Sequence, residues 1–399
     1  MRKHIPVLVA VISAFAAACT AGDFWGDYKD GSYEYAVDGM GGSGSGSGEN
    51  SNAGTLTASE WNDLGNWQFW TKLLNSQGEN SYSGMPAYWG FDTRGRVAVH
   101  VSNPDESDAV NVPVKLFYNE VPEWETRTDN HGNASLWLGL YGMPEDIDST
   151  ALALKVADNP VAEVPAITSF RDTVVLLNEI KFAAEAPVPA AADIAFIVDA
   201  TGSMYDEIAF LKDDLMDILG KVKKMQSGVS LRTAALFYRD EDGDEYVTRP
   251  SDFSSVPDVT SNFVKQQDAA GGGDYPEAVH QALSTALQSL SWEASTRNRI
   301  AFLILDAPAH HESKVISSLQ TSVRMFAKNG IRIIPVVASG ADKNTEFMCR
   351  FFAIATGGTY VFLTNDSGVG GDHIEASVGE CEVEQLNALI VRLISENIE

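Results

Sequence analysis

The sequence predicts an α/β fold built on a doubly wound, mostly parallel sheet, preceded by a small all-β sandwich. Two observations carry this. From Asp193 to the C-terminus, apolar runs of strand length (194–198, 231–238, 299–305, 331–337 and 360–363) alternate with segments of helical period, which implies a parallel sheet covered on both faces. Between Arg96 and Lys181, short β-type runs recur with turn residues between them: Val97 to Val101, Val112 to Tyr118, Ala134 to Leu140, Ala151 to Val156 and Thr173 to Leu177. Asn130-His131-Gly132-Asn133 reads as a hairpin turn among them. A chain of 399 residues, 44% hydrophobic and 21% charged, can bury sizeable cores and suits two folded domains with connectors.

In chain order, Arg2 and Lys3 precede an apolar run from Ile5 to Ala18 that is too short to span a bilayer as a mature helix, so residues 1–18 read as a secretory signal peptide. It ends Ala16-Ala17-Ala18-Cys19, which resembles the lipobox of bacterial lipoproteins. That resemblance implies cleavage before Cys19, acylation of its thiol, and a place in the cell envelope, at the outer membrane or cell surface of a bacterium. An ordinary signal peptide with an incidental cysteine is the alternative. Residues 19–54 include the glycine-serine run 41–48 and read as a flexible tether. Residues 55–95 form a Trp-rich connecting segment; Thr57 with Glu60 is a capping-box pattern, and Trp61, Leu64, Trp67, Phe69 and Trp70 suggest a short helix packed on the next domain. A carbohydrate-binding or partner-docking surface is the other reading of the tryptophans. Residues 96–182 are the β-sandwich module, similar around Thr128 to Leu138 to immunoglobulin-like or transthyretin-like modules of bacterial surface proteins, and read as a spacer and scaffold. Pro187 and Pro189 mark a semi-stiff linker over 183–192, and the second domain occupies 193–399.

The chemistry concentrates at Asp199-Ala200-Thr201-Gly202-Ser203, directly after the strand 194–198. Met204, Ile208, Leu211, Leu215, Ile218, Leu219 and Val222 follow at helical spacing, so the carboxylate and two hydroxyls sit in a turn at a strand's carboxyl end. That is where open α/β sheets bind ligands, and such an oxygen set suits Mg²⁺, with a helix cap as the plain alternative. Asp306 ends a second buried strand, and the glycine loop Gly271 to Glu277 opens a helix expected over Pro276 to Leu290.

Together these stretches resemble a von Willebrand factor type A (vWA) domain, whose metal-ion-dependent adhesion site (MIDAS) uses Asp-x-Ser/Thr-x-Ser, a second-loop Thr and a third-loop Asp. Asp199, Thr201 and Ser203 match the first element and Asp306 the third. The family usually reads Gly-Gly-x-Thr in the second element, where this chain has Asp274 on the Thr position. An extra anionic ligand there would hold metal more tightly and weaken its pull on a partner's carboxylate; alternatively Asp274 acts through water or faces away. Phe237 to Asp240, Asp306 to His310 and Gly358 to Leu363 resemble a bacterial subgroup of these domains.

Other patterns define what is excluded. A net charge of −27 without a basic stripe argues against nucleic acid. Asp240 to Glu245 fails the EF-hand test, since its glycine stands fourth rather than sixth, and reads as a solvated acidic hairpin with a weak secondary cation site as the alternative. His310 and His311 are adjacent, so they diverge and do not make a zinc pair; His310 lines the cation-site rim or makes a structural hydrogen bond. Ser203 lacks the nucleophile-elbow pattern. Cys349 and Cys381 stand open as a disulfide in an exported protein.

With no convincing catalytic constellation the chain reads as a non-enzyme, and the resemblance implies that it binds another protein through a divalent cation, Mg²⁺ first with Mn²⁺ or Ca²⁺ as alternatives, held by Asp199, Thr201, Ser203, Asp274 and Asp306. A metal-dependent hydrolase using Asp274 or Asp306 as base, and a scaffold with a vestigial metal site, are the other readings.

Overall fold

A computed structural model describes residues 56–78, 81–144, 146–169, 172, 174–183, 190–241, 244–365 and 375–398. The expected signal peptide, Cys19, the tether and most of the 183–192 linker lie outside them. Among the described residues no helix is long and apolar enough to cross a membrane.

The elements run β1 (Thr57–Trp61), α1 (Trp67–Asn75), α2 (Met85–Trp89), β2 (Arg96–Ser102), β3 (Pro113–Tyr118), β4 (Val121–Arg127), β5 (Asn133–Trp137), β6 (Leu152–Val156), β7 (Asn159–Pro160) and β8 (Leu177–Lys181). They continue with β9 (Ala191–Asp199), α3 (Tyr205–Met225), β10 (Ser230–Tyr238), β11 (Thr248–Ser254), α4 (Pro257–Lys265), α5 (Val279–Ser289) and β12 (Asn298–Leu305). The last are α6 (Ser313–Lys328), β13 (Ile331–Val337), α7 (Lys343–Thr356), β14 (Tyr360–Leu363), β15 (Glu384–Gln385) and α8 (Leu386–Ile398).

The main sheet has the order β11-β10-β9-β12-β13-β14-β1-β15. The five strands from β10 to β14 in that order pair in parallel, and β11, β1 and β15 add antiparallel edges. Strands β9 and β12 are apolar on both faces because both faces are covered: Phe196 and Ile300 face a core with α3, α4 and α8, while Ile197 and Leu303 face one with α5, α6 and α7. This is the doubly wound architecture expected. Its chain order reverses between β9 and β12, which opens a crevice at the carboxyl ends of these two strands.

The β module consists of a three-stranded sheet, β5-β2-β8, and a four-stranded sheet, β4-β3-β6-β7, whose inward residues Val97, Val99, Leu116, Trp124, Leu136 and Leu154 share one core. The turn 130–133 joins β4 to β5, which lie in different sheets, so it is an arch between layers rather than a hairpin. Strand β8 runs from Leu177, later than the expected 173–177, because Val174 and Leu176 are exposed and the pairing to β2 begins at Leu177. Strand β4 has no apolar run to mark it in the sequence, because only Trp124 and Thr126 along it are buried.

The Trp-rich segment departs most from expectation. Thr57 to Trp61 is not a capped helix start; it is strand β1, inserted between β14 and β15, and Glu60 pairs with Arg392 of α8 at 2.8 Å. Sheet pairing across the fold outweighs the local capping pattern. The helical part is real, and Trp61, Trp67 and Trp70 are buried as core residues, with Trp70 stacked on Phe347 of α7. Phe91 stacks on Phe351 at 4.1 Å, and Arg324 of α6 lies over Trp124 and Tyr141, so the β module docks against the α6/α7 face. At the base of β12, Arg299 donates to Asn111 Oδ1 at 2.7 Å and to the carbonyls of Glu293, Thr296 and Asn329, joining the module to the end of the sheet opposite the crevice.

The cysteine pair is corrected as well. Cys349 is buried within α7 and Cys381 is exposed, and both are free thiols.

Arg350 of α7 is wholly buried and donates to both oxygens of Asp63 at 2.8 and 2.6 Å, with Glu346 at 3.4 Å as a second acid. Removing one partner of such a pair strands a charge in the core. Asp63→Ala therefore lowers unfolding free energy by about 3–5 kcal/mol, checked by urea denaturation. A loss under about 1 kcal/mol would show that the pair does not clamp β1 and α1 to the sheet.

Candidate functional site

Strand β9 ends at Asp199, β12 ends one residue before Asp306, and both carboxylates enter the crevice buried. The chain turns sharply after Asp199: its Oδ1 accepts the Thr201 N–H at 2.9 Å and the Thr201 hydroxyl at 2.7 Å, while Thr201 stays extended ahead of the turn into α3. The turn is closed from the other side by the glycine loop. Gly202 N–H donates to Gly271 O at 3.2 Å and Ala270 N–H to Ala200 O at 3.0 Å. Gly272 has φ +74°, and a Cβ there would lie 3.1 Å from Thr201 Cβ and 3.0 Å from Glu277 Oε1, so only glycine lets this loop approach.

Within this frame the acids outnumber their partners. Asp199 Oδ2, Asp306 Oδ1, Glu207 Oε2 and Glu277 Oε2 are all buried and without hydrogen bonds. Among the described residues none of these four carboxylates pairs with a lysine or arginine. Burial, and then the charge of Asp306, push the Asp199 carboxyl up to about 7 despite the two bonds from Thr201. Burial raises Glu207 to about 7, with Asp306 adding to it, and raises Glu277 to about 9, with the charges of Asp199, Asp240, Asp306 and Asp244 adding. Asp306 is raised by burial and eased by a hydrogen bond with Ser203. Uncompensated carboxylate oxygens beside two hydroxyls form a hard, all-oxygen donor set, which fits a divalent cation.

The expected residues divide into two groups. Asp199, Thr201, Ser203 and Asp306 come together as expected. Asp274 is exposed, and its carboxylate gathers instead with Asp240 and His310, one ligand atom from each lying within 4.8 Å of the others. The acidic run 240–245 is therefore not simply a solvated hairpin: Asp240 is buried with Oδ1 2.7 Å from His310 Nε2, and Asp244 Oδ2 accepts the backbone N–H groups of Asp240 and Gly272. His310 and His311 diverge as expected, His311 stacking on Tyr88 at 3.6 Å.

Glu207 and Glu277 were not singled out from the sequence. Glu207 lies three residues after Met204 and four before Leu211, on the apolar face of α3, and that spacing was the available signal. Glu277 falls in a segment expected to be helical from Pro276, whereas α5 starts at Val279. Glu277 pairs in parallel with Ala309 and donates its N–H to Pro308 O at 2.9 Å, which holds it out of the helix and against the crevice.

Residues 193–365 match the family model described as von Willebrand factor A domain. A putative ariadne-like RING finger protein, R811, of Acanthamoeba polyphaga mimivirus is 28% identical over 194 residues, covering 44% of this chain and 19% of that protein. The alpha-protein kinase vwkA of Dictyostelium discoideum is 30% identical over 118 residues, 30% of this chain and 19% of that protein. The chain thus spans about a fifth of the length of these curated relatives. Among solved structures, the pilus adhesin SpaC from Lactobacillus rhamnosus GG aligns at TM-score 0.36 and 10% identity, over 52% of this chain and 30% of that one. The conserved hypothetical protein BatB from Bacteroides thetaiotaomicron aligns at TM-score 0.32 and 14% identity, over 52% and 98%.

The raised carboxyls make a pH prediction. Asp199, Glu207 and Glu277 hold protons more tightly folded than unfolded, so their contribution to stability is complete below about pH 4 and is lost as pH rises through 7 and on to 9. In chelator, the melting temperature falls between about pH 5 and 9, and Glu277→Gln, uncharged throughout, flattens the upper part of that fall. A wild-type melting temperature that climbs from pH 7 to 9 would contradict this account.

Proposed function

Residues 193–365 being a von Willebrand factor A domain, we propose that the protein binds a divalent cation at Asp199, Thr201, Ser203 and Asp306 and uses it to bind another protein. Domains of this family generally mediate protein interaction and often bind metal. The observation that carries the reading is the pair of buried, unpartnered oxygens, Asp199 Oδ2 and Asp306 Oδ1, beside the hydroxyls of Thr201 and Ser203. When bound, the cation supplies the missing positive charge and an electrophilic position for a carboxylate of the partner. The chain's own part is positioning. The Thr201 bonds fix the Asp199 carboxylate, the glycine loop keeps the turn closed, and Ser203 remains exposed at the mouth. With Asp274 turned to another cluster, the ligands assigned here include two carboxylates rather than three, which supports a cation that keeps its pull on a partner. Mg²⁺ is the first choice, because a hard all-oxygen set with few carboxylates leaves room for the waters it retains.

Thermal unfolding of the whole chain with chelator, then with Mg²⁺, Mn²⁺ or Ca²⁺, tests the metal. A cation that binds only the folded state adds about 2.7 kcal/mol at a hundredfold excess over its Kd, and Asp199→Ala or Asp306→Ala abolishes that gain. No shift with any of the three, in folded protein, defeats the proposal and favours a scaffold with a vestigial site.

The location is part of the same proposal: export through residues 1–18 and a lipid anchor on Cys19, supported by the sequence pattern there. Cys19→Ser is expected to move the protein from the membrane fraction to the soluble fraction on cell lysis. Unchanged membrane fractionation of this variant would refute the anchor.

A further inference from the structure

Beyond the all-oxygen site, we propose that Asp240, Asp274 and His310 form a second metal site, selective for a borderline transition-metal dication such as Zn²⁺ or Co²⁺. Each residue offers one ligand atom, and the three atoms lie within 4.8 Å of one another. Two carboxylates and an imidazole are a mixed oxygen and nitrogen set, which transition ions accept and which Mg²⁺ and Ca²⁺ disfavour. Three protein ligands leave further coordination positions for water or an incoming group, as in open zinc sites.

The three ligands come from three separately anchored segments. Asp240 follows β10, and its N–H is held by Asp244 Oδ2, which also takes the Gly272 N–H and so ties the glycine loop bearing Asp274 to the same point. A Cβ on Gly271 would lie 1.8 Å from Asp244 Oδ1, so this junction is packed to backbone contact. His310 is placed by its neighbours on both sides: Ala309 pairs with Glu277, and His311 is stacked on Tyr88 with its Nε2 2.7 Å from Tyr88 O. His310 Nε2 then lies 2.7 Å from the buried Asp240 Oδ1. Here the imidazole is part of the set, and the buried Glu277, with Oε2 unpartnered, feels the charges of both Asp240 and Asp199. Among the described residues neither Asp240 nor Asp274 is paired with a lysine or arginine.

The test is equilibrium dialysis of the whole chain against Co²⁺ and, separately, Zn²⁺, in excess Mg²⁺, with the visible absorption of bound Co²⁺ as a second readout. One equivalent is expected to bind with Mg²⁺ present. His310→Ala, and Asp274→Asn at an exposed position that cannot upset the core, should each weaken it by more than about 100-fold, since loss of an outer-shell partner alone costs 10- to 100-fold. Asp306→Ala should leave the equivalent in place, whether or not Mg²⁺ binds at the first site, so the two proposals fail separately. Wild-type Co²⁺ affinity in His310→Ala and Asp274→Asn would overturn the second site. So would a Co²⁺ equivalent that excess Mg²⁺ displaces and Asp306→Ala abolishes.

Discussion

The structure is governed by carboxylates of like charge held out of water at one end of a parallel sheet. Asp199 and Asp306 each come from the end of a central strand, and Glu207 and Glu277 close in from the segments beside them. Two such charges about 4 Å apart repel by roughly 4 kcal/mol at the effective dielectric of a protein surface, and more when buried deeper. A fold that keeps this arrangement needs either protons or a cation there. The same burial that makes the charges costly leaves their oxygens without partners, so one constraint accounts for both the raised carboxyls and the donor set.

The rest of the molecule holds that end of the sheet fixed. Helices cover both faces, and the β module reaches the sheet through Arg299 and Asn111 at the far end of β12. The aromatic segment between them packs Trp70 and Phe91 against α7. The module is therefore an integral support, with one core shared across the boundary, rather than a bead on a string.

Much of this was legible in the sequence. The central strands announced themselves as unbroken apolar runs, because burial on both faces removes the polar alternation, and Asp199, Thr201, Ser203 and Asp306 were found because each sits at the end of such a run. What escaped depends on contacts remote in sequence. Strand β1 resembles a helix start until β14 and β15 are placed on either side of it. Asp240 looks solvated in an acidic run, and only the fold sets His310 against it, 70 residues away. Helix α7 is buried almost all round, so it has no polar face to give it a period.

The placement of β1 also determines how the body bears load. Residue 56 enters directly into a strand that is hydrogen-bonded on both sides, to β14 through residues 58–61 and to β15 through residues 57 and 58. Because β1 runs antiparallel to β14, with Ala58 opposite Leu363, residue 56 emerges at the same end of the sheet as the crevice, so tension between the two runs across the strands and opens these bonds one at a time. Behind them, Asp63 is clamped by Arg350 within the core. A pull at residue 56 therefore opens the β1 pairings in turn, and the buried Asp63–Arg350 pair is what stops the peeling from reaching α1.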